Sequence, residues 1–336
     1  MIKYNYADYY MEDTIKADFL GHFLKDHGME CEMSDTPDYL LCYRYTGDTF
    51  LKYDGVRIFW TGEDVSPDFN LVDYAIGFDH ISFGDRYFRR PLYLGYKEDW
   101  ELAKKKHLNV DRSAHERKFC NFVYSNGNAV RQREDFYHIL SKYKKIDSGG
   151  RYLNNVGGPV DNKCEFQKNY KFSIAFENAS TPGYVTEKIT QAFAAGTVPI
   201  YWGNPLVADE FNTKAFINCH DFSSFDEVIK FVKEVDENDE LYYGFLNEPM
   251  CTDEQLKKAE DTENKLEEFL LNIFTQPYEK AFRRNMGFWG RNYEMKMKRQ
   301  LLDFDMDKAG FTMPLKVGYY LCRRKLGIVK RKLIKK

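Results

Sequence analysis

The sequence lacks the cysteine pattern of a disulfide framework or a zinc site. Its seven cysteines are odd in number and scattered, without a CxxC pair or a paired Cys/His spacing. It also has no stretch that approaches the roughly 20 apolar residues of a membrane-spanning helix, and no apolar run near its first residue resembles a signal peptide. These absences favour a protein of a reducing cytosol over a secreted or membrane-spanning one.

Acidic residues are absent from one region, the stretch 313–336. It holds nine Lys and Arg residues, although the whole chain has a formal net charge of −3. Its apolar residues recur at alternating spacings of four and three, at Leu315, Tyr319, Cys322, Leu326, Val329 and Leu333. This pattern predicts a basic amphipathic helix on an anionic membrane surface, and a coiled-coil seam or a nucleic-acid-binding arm fits the same pattern.

The length of 336 residues suits two domains better than one. Apolar stretches of strand length alternate with stretches of helical spacing, which predicts an α/β fold. We place an N-terminal domain at 1–112, a second domain at 113–280, a helical segment at 281–312 and the basic tail at 313–336. The charged stretch from Lys97 to Lys118 is predicted to be the linker.

The most informative stretch, residues 170–204, reads YKFSIAFENASTPGYVTEKITQAFAAGTVPIYWGN. Apolar residues up to Phe176 predict a buried strand, and helical spacing from Tyr184 predicts a helix that stops at Gly196. A second apolar strand, Val198 to Trp202, follows. This is a βαβ unit, whose parallel strands bring loops and a helix N-terminus to the carboxyl edge of a sheet.

The first turn of this helix carries Tyr184, Glu187 and Lys188. Helix N-termini attract anions, Lys188 adds a positive charge, and Glu187 can accept hydrogen bonds from sugar hydroxyls, so a phosphate fits there. A capped surface helix with adjacent charges is the alternative interpretation.

The string FENASTPGYVTEKITQAFAAGTVPIYWG resembles the donor-binding signature of the α-1,3-fucosyltransferases (glycosyltransferase family 10), especially their bacterial members. The resemblance extends to NFVYSNGNAVRQREDFY, FINCHDFSSFDEVIKFV, FWTGEDVSPDFNLVDYAIGF and DRYFRRPLY, and covers most of residues 55–250. It implies two facing Rossmann-like domains of the GT-B type. It also implies inverting transfer of L-fucose from GDP-fucose to the 3-OH of GlcNAc in N-acetyllactosamine-type glycans, with a Lewis X-like product on a bacterial surface polysaccharide or lipopolysaccharide.

The resemblance also assigns roles to residues. In the family the Glu of the motif TGE is the proposed catalytic base, and it corresponds to Glu63 in this sequence. Donor binding falls to Asn178, Tyr184, Glu187 and Lys188. Arg133 matches the family's donor-binding arginine, and Arg131 is the second choice. An arginine on a first helical turn can bind a pyrophosphate through two parallel hydrogen bonds.

Other motifs leave alternatives open. His80 and Arg86 are candidates for the acceptor side, although Arg86, Arg89 and Arg90 can equally form ion pairs. Asp64 either acts electrostatically on Glu63 or faces water. The Gly-rich segment SGGRYLNNVGG, 148–158, matches no phosphate-loop motif, but its Gly149, Gly150 and Asn154 can approach the donor. Asp303-Phe304-Asp305 has the DxD spacing outside a strand end, so we predict that no metal or other cofactor is required.

Three alternatives remain at this point. The chain could make α-1,4 as well as α-1,3 bonds, or it could transfer another sugar from a nucleotide on the same fold. It could also be a peripheral membrane protein that binds glycans without catalysis. For the transferase, the expected location is the bacterial cytoplasm at the periphery of the inner membrane, with a lipid-linked or lipopolysaccharide glycan as acceptor and no nucleic acid partner.

Overall fold

The computed structural model describes residues 1–7, 18–43, 49–108, 110–308, 312, 315, 318, 319 and 322. The strands are β1 (Ile2–Ala7), β2 (Cys31–Met33), β3 (Tyr39–Cys42), β4 (Val56–Trp60), β5 (Tyr74–Gly77), β6 (Tyr87–Arg89), β7 (Lys118–Phe122), β8 (Ile146–Ser148), β9 (Tyr170–Phe176), β10 (Val198–Trp202) and β11 (Ile217–Asn218). The helices are α1 (Phe19–Asp26), α2 (Lys97–Lys104), α3 (Gln132–Leu140), α4 (Lys163–Gln167), α5 (Glu187–Ala194), α6 (Phe225–Glu237), α7 (Asp239–Asn247), α8 (Asp253–Thr275), α9 (Tyr278–Ala281) and α10 (Phe288–Lys308). This alternation confirms the predicted α/β class.

The chain divides into two compact units. The first comprises Met1–Trp60, Pro67–Ala75 and Pro277–Lys336, and the second comprises Thr61–Ser66 and Ile76–Gln276. These bounds differ from the predicted domains, because the segment after β5 up to residue 112 clusters with the second unit. The loop that carries Glu63 belongs to the second unit as well, not to the N-terminal one.

In the first unit, four parallel strands are ordered β2-β1-β3-β4, and β5 follows β4 in the same sheet. Strand β5 begins in this unit with Tyr74 and ends in the second with Gly77. An apolar cluster lies against these strands, formed by Ala7, Leu40, Cys42, Phe50, Leu51 and Leu71. The apolar stretches DYLLCYRY, VRIFWTG and LVDYAIGF contribute β3, β4 and β5.

A network of buried charges connects the C-terminal part of the first unit to its strands. Arg57 on β4 donates to Glu294 of α10 over 2.9 Å, and Arg284 pairs with Asp73. Asp73 also accepts from the backbone N–H groups of Arg283 and Arg284, each over 2.8 Å. The segment that begins at Pro277 therefore completes the first unit although it lies far away in the sequence.

The second unit contains a parallel sheet ordered β11-β10-β9-β7-β8. Strand β9 is buried along its whole length, with alternate residues facing two different apolar clusters. Phe172 and Phe176 lie in one cluster, and Ala175 lies in the other together with Ile189 of α5. Apolar cover on both faces is what a parallel sheet requires, and it explains why the apolar residues of β9 are consecutive from Ile174 to Phe176.

Two local predictions are corrected. Helix α5 begins at Glu187 rather than Tyr184, because Thr186 is held in an extended conformation as the N-cap residue and both its N–H and its hydroxyl donate to Glu177. The charged stretch that starts at Lys97 is not a linker of irregular structure. It contains α2, whose Trp100 and Ala103 are buried in the second unit.

The predicted basic tail, 313–336, lies outside the described residues except for Leu315, Gly318, Tyr319 and Cys322. Within the part of the chain that the structure describes, no helix combines the length and the apolarity needed to cross a bilayer.

Candidate functional site

A cleft of about 420 Å³ opens at the carboxyl edge of the second sheet. Strand β7 lies between β8 and β9, so the strand order reverses its direction between β7 and β9. Ligands of open α/β sheets bind at such a switch point. The cleft is lined by Val123, Tyr124, Ser125, Asn126, Arg133, Gly149, Gly150, Pro159, Val160, Asp161, Lys163, Asn178, Glu187, Lys188 and Gln191.

Arg133, near the N-terminus of α3, forms one wall of the cleft. Arg133 is only 1% exposed to solvent. Its guanidinium donates hydrogen bonds to Asn178 Oδ1 over 2.9 Å and to the carbonyl of Asn126. The guanidinium also lies 4.3 Å from the centre of the Tyr124 ring. Burial lowers the pKa of Arg133, and among the described residues its Nε has no hydrogen-bond partner. This arginine is therefore held in place by neutral groups while it lines the cleft.

Lys188, in the first turn of α5, is fixed by a buried carboxylate. Its Nζ lies 3.0 Å from Glu177 Oε2, 2.8 Å from Thr186 Oγ1 and 3.6 Å from Glu187 Oε1. Burial alone lowers the pKa of Lys188, but the carboxylates of Glu177 and Glu187 raise it above its ordinary value. Lys188 is thus a permanent cation whose position is set by Glu177, which is fully buried at the end of β9.

A further lysine, Lys163 at the start of α4, lines the same cleft. Its Nζ donates to Gln191 Oε1 over 2.7 Å, and Gln191 in turn donates to Asp99 over 2.9 Å. Burial lowers the pKa of Lys163. Burial raises the pKa of Glu187, but Lys188 and Lys163 more than offset this and leave it below its ordinary value. The cleft therefore carries three cations, Arg133, Lys163 and Lys188, beside the carboxylates of Asp161 and Glu187 in its wall.

Glu63 lies in the loop after β4. The Thr61 hydroxyl accepts from the N–H of Glu63 over 3.0 Å and donates to its carbonyl over 3.1 Å. The next residue, Asp64, accepts from the hydroxyl of Thr181 over 2.8 Å. Burial raises the pKa of Asp64, which the bond from Thr181 opposes. The Glu63 loop is thus bound to the loop between β9 and α5, which also leads to the cleft.

The segment after β5 contains the acceptor-side candidates. The His80 ring lies against Gly183, since a Cβ built on that glycine would come within 3.0 Å of it. Burial lowers the pKa of His80, and the cation of Arg89 adds to the effect. Arg86 lies over the Phe83 ring at 5.0 Å.

For two of the neighbouring arginines the structure selects the ion-pair interpretation. Arg89 pairs with Glu210, and Arg90 donates to Glu263 over 2.7 Å. Both arginines therefore have structural partners within the second unit.

The remaining predicted residues divide between wall and core. Tyr184 is buried against Phe78 and Leu92 and does not line the cleft. Asn178 lines the cleft and orients Arg133.

Two sequence alternatives also separate here. Arg131 is exposed and pairs with Asp135 over 3.2 Å, so Arg133 is the arginine at the cleft. In the Gly-rich segment, Gly149 and Gly150 line the cleft, and a Cβ on Gly150 would lie 1.9 Å from the Tyr124 carbonyl oxygen. Asn154 instead holds that loop together by donating to the carbonyls of Gly150 and Gly158.

The structure brings Arg133, Asn178, Glu187 and Lys188 together at one cleft, and their role in donor binding stays a prediction. The sequence did not reveal Lys163, which begins the short helix α4 just before β9 and belongs to no motif. It also missed the part played by Glu177, although a carboxylate at the end of a buried strand was a usable signal.

The cleft is suited to a small polyanion that carries hydroxyl groups. Positive side chains at a switch point can neutralise a diphosphate, and backbone N–H groups there can donate hydrogen bonds to it. Carboxylate and amide oxygens can accept hydrogen bonds from hydroxyl groups. In the described part of the chain, no group of His, Cys, Asp and Glu side chains is arranged to hold a metal ion.

Comparisons with known proteins agree with this geometry. Residues 113–267 match the family described as Glycosyltransferase family 10 (fucosyltransferase) C-term, and residues 4–96 match the Alpha-(1,3)-fucosyltransferase FucT N-terminal domain. The chain is 40% identical to Alpha-(1,3)-fucosyltransferase FucT of Helicobacter pylori over 223 residues, which is 57% of this chain and 46% of that protein. It is 35% identical to mouse 4-galactosyl-N-acetylglucosaminide 3-alpha-L-fucosyltransferase 9 over 142 residues, 39% of this chain and 36% of that protein.

The chain thus spans less than half the length of these two relatives. A solved structure of an alpha1,3-fucosyltransferase with GDP-fucose matches with a TM-score of 0.65 and 32% identity, covering 80% of this chain and 90% of that one. These findings confirm the resemblance found in the sequence and the GT-B type of the fold. The chain belongs to glycosyltransferase family 10, the fucosyltransferase family.

Proposed function

We propose that this protein transfers L-fucose from GDP-fucose, with inversion, to the 3-OH of GlcNAc in N-acetyllactosamine-type glycans, which yields a Lewis X-like product. The observation that carries the proposal is the cationic cleft at the switch point of the second sheet, with the buried Arg133 in its wall. The solved relative that contains GDP-fucose supports the choice of donor. The name of the mouse relative, which specifies a 4-galactosyl-N-acetylglucosaminide, supports the choice of acceptor.

In this proposal Arg133, Lys163 and Lys188 hold the diphosphate and stabilise the charge that develops on departing GDP. Arg133 offers its planar fork, and the two lysines act as point charges. Asn178 and Glu187, which line the same cleft, orient hydroxyl groups of the fucose or the ribose. Tyr184 supports this site from the core, where it packs against Phe78.

The reaction is a single displacement. The acceptor 3-OH loses its proton to the Glu63 carboxylate while its oxygen bonds to the anomeric carbon of fucose. The bond from that carbon to the phosphate oxygen breaks on the opposite face, and its electron pair leaves with GDP. His80 and Arg86, which share a segment in the second unit, are proposed to contact the acceptor.

Three further elements of the proposal concern conditions and place. Positive side chains neutralise the diphosphate in place of a divalent metal ion. Turnover should therefore be unchanged in excess EDTA. The stretch 313–336 binds an anionic membrane surface, at the inner membrane of a bacterium, where the chain modifies a surface polysaccharide or lipopolysaccharide.

The test is release of GDP on mixing the purified protein with GDP-fucose and N-acetyllactosamine. We expect release that depends on the acceptor and that collapses in Glu63→Gln. Lys188→Ala should lower the rate by roughly 10²-fold or more, and near-normal turnover in that variant would show the donor assignment to be wrong. Competition by GDP but not UDP is expected, and absence of GDP binding would overturn the proposal.

A further inference from the structure

A side-chain hydrogen bond joins two loops of the second unit. Thr181 Oγ1, in the loop between β9 and α5, donates to Asp64 Oδ2, in the loop after β4, over 2.8 Å. The two residues are 117 positions apart in the sequence. One loop carries Glu63, and the other leads to Lys188 in the cleft wall.

Each loop is fixed on its own side of this bond. The buried Thr61 hydroxyl bonds both backbone groups of Glu63, and the N–H of Val65 donates to the Glu63 carbonyl over 2.8 Å. In the other loop, Ser180 Oγ donates to the carbonyl of Gly203 over 2.7 Å. The N–H of Gly183 donates to Asn204 Oδ1 over 2.8 Å.

The conformation at Gly183 depends on the absence of a side chain. Its φ is +87°, and a Cβ there would lie 2.4 Å from the Phe78 carbonyl oxygen. This loop is therefore tightly seated beside the segment after β5, and Thr181 has little freedom to move away from Asp64.

We propose that Thr181 and Asp64 are a positioning pair, which holds the Glu63 carboxylate at a fixed place relative to the donor loop. The inference rests on the proposed function, because it presumes that Glu63 removes the acceptor proton. A base displaced by about 1 Å can cost on the order of 10²-fold in rate, so a hydrogen bond that sets this distance is a determinant of turnover rather than of donor affinity.

Asp64 then acts through geometry, not through its charge. The substitution Asp64→Asn separates the two, because an amide oxygen still accepts from Thr181 although the charge is gone. We expect Asp64→Asn to keep most of the turnover and Asp64→Ala to lose roughly tenfold or more. Equal losses in both variants would contradict a positioning role and indicate that the charge itself is needed.

The matched experiment on the donor side uses Thr181→Val, Thr181→Ser and the exposed Thr213→Val as control. Thr181→Val should lower kcat roughly tenfold or more while the dissociation constant for GDP stays within about twofold. Thr181→Ser, which keeps the hydroxyl, should restore most of kcat, and Thr213→Val should behave as the unmodified protein. Unchanged kcat in Thr181→Val, or a parallel loss of GDP affinity, would overturn the inference.

The double variant Thr181→Val with Asp64→Ala provides an independent reading. If the two residues act through one hydrogen bond, the double variant loses no more kcat than the more impaired single variant. Losses that multiply would show two separate roles. Failure of the unmodified protein to release GDP would count against the proposed function itself, whereas an active protein with an active Thr181→Val variant would count against this inference alone.

Discussion

Arg57 in the first unit and Arg133 in the second are both buried arginines, yet their surroundings differ. Arg57 is fully buried, and its three guanidinium nitrogens donate to the carbonyls of Tyr53 and Leu71 and to the carboxylate of Glu294. The partners of Arg133 are the neutral oxygens of Asn126 and Asn178. The Arg57 guanidinium donates four hydrogen bonds inside the protein, and the Arg133 guanidinium donates two and borders a cleft.

This difference distinguishes a structural charge from a functional one. A buried cation is costly unless an anion or several hydrogen bonds compensate for it. Glu294 and two carbonyls provide this compensation for Arg57. The hydrogen-bond partners of Arg133 among the described residues are neutral, and a bound diphosphate would add a charged one. We therefore expect substitutions in the first unit to act on stability and matched substitutions at the cleft to act on binding.

The largest effect is expected for Arg57→Met. Removing the guanidinium leaves the carboxylate of Glu294 without this partner in a buried place, which should lower the free energy of unfolding by about 3–5 kcal/mol. Chemical denaturation followed by circular dichroism measures this loss. A change below about 1 kcal/mol would break the comparison, because it would mean that the network in the first unit contributes little to stability.

The same substitution at the cleft, Arg133→Met, should act differently. No carboxylate accepts a hydrogen bond from Arg133 among the described residues, so we expect the free energy of unfolding to fall by less than about 1.5 kcal/mol. The dissociation constant for GDP should rise roughly tenfold to a hundredfold, since charge-assisted bonds to a phosphate are lost. Calorimetric titration with GDP measures this change, and the exposed Arg131→Met serves as the control.

Lys163→Met sharpens the comparison within the cleft. Lys163 bonds to the neutral Gln191, whereas Lys188 is paired with the buried Glu177. Lys163 can therefore be removed without leaving a buried carboxylate unpaired, and we expect GDP to bind about tenfold more weakly at nearly unchanged stability. Lys168→Met, which removes a lysine that pairs with Glu165 at the surface of the same segment, should leave GDP binding unchanged.

The sequence allowed the βαβ unit and most of its cleft residues to be predicted, because the periodicity of 170–204 is regular and its motif is specific. It could not reveal Lys163, whose place in the cleft depends on how α4 packs beside α5. Nor could it show that hydrogen bonds to Glu177 hold Thr186 in an extended conformation. For this reason α5 begins at Glu187 and not at the predicted Tyr184. Both depend on contacts between separate elements rather than on local pattern.

The division into units was beyond local pattern for the same reason. Residues 61–66 follow a strand of the first unit, and the segment from Pro277 returns to that unit after the whole of the second. A prediction from the sequence places each of these two segments in the same unit as its neighbours in the chain. The bond from Thr181 to Asp64 and the pair of Arg284 with Asp73 assign them otherwise.

Lys106 gives the smallest and most specific test, since it is a buried cation that does not line the cleft and, among the described residues, forms no hydrogen bond with a carboxylate. Its Nζ donates to the carbonyl of Phe245 over 2.9 Å and lies 5.2 Å from the Phe193 ring centre. Burial lowers the pKa of Lys106 to about 7, which Glu248 only partly opposes. The folded protein therefore releases this proton at a lower pH than the unfolded chain, whose lysine keeps its ordinary pKa.

Between pH 7 and about pH 10 the unfolded chain holds a proton that the folded protein has lost, so the contribution of Lys106 to stability rises with pH. Below pH 7 both states are protonated, and the full cost of burying the charge is present. Relative to Lys106→Met, the free energy of unfolding of the unmodified protein should therefore gain about 1 kcal/mol or less from pH 7 to pH 8. Denaturation of both proteins across this range measures the difference, with the exposed Lys105→Met as the control. Parallel curves for Lys106→Met and the unmodified protein would mean that the carbonyls of Phe245 and Leu246, the Phe193 ring and the charge of Glu248 together keep Lys106 charged despite its burial.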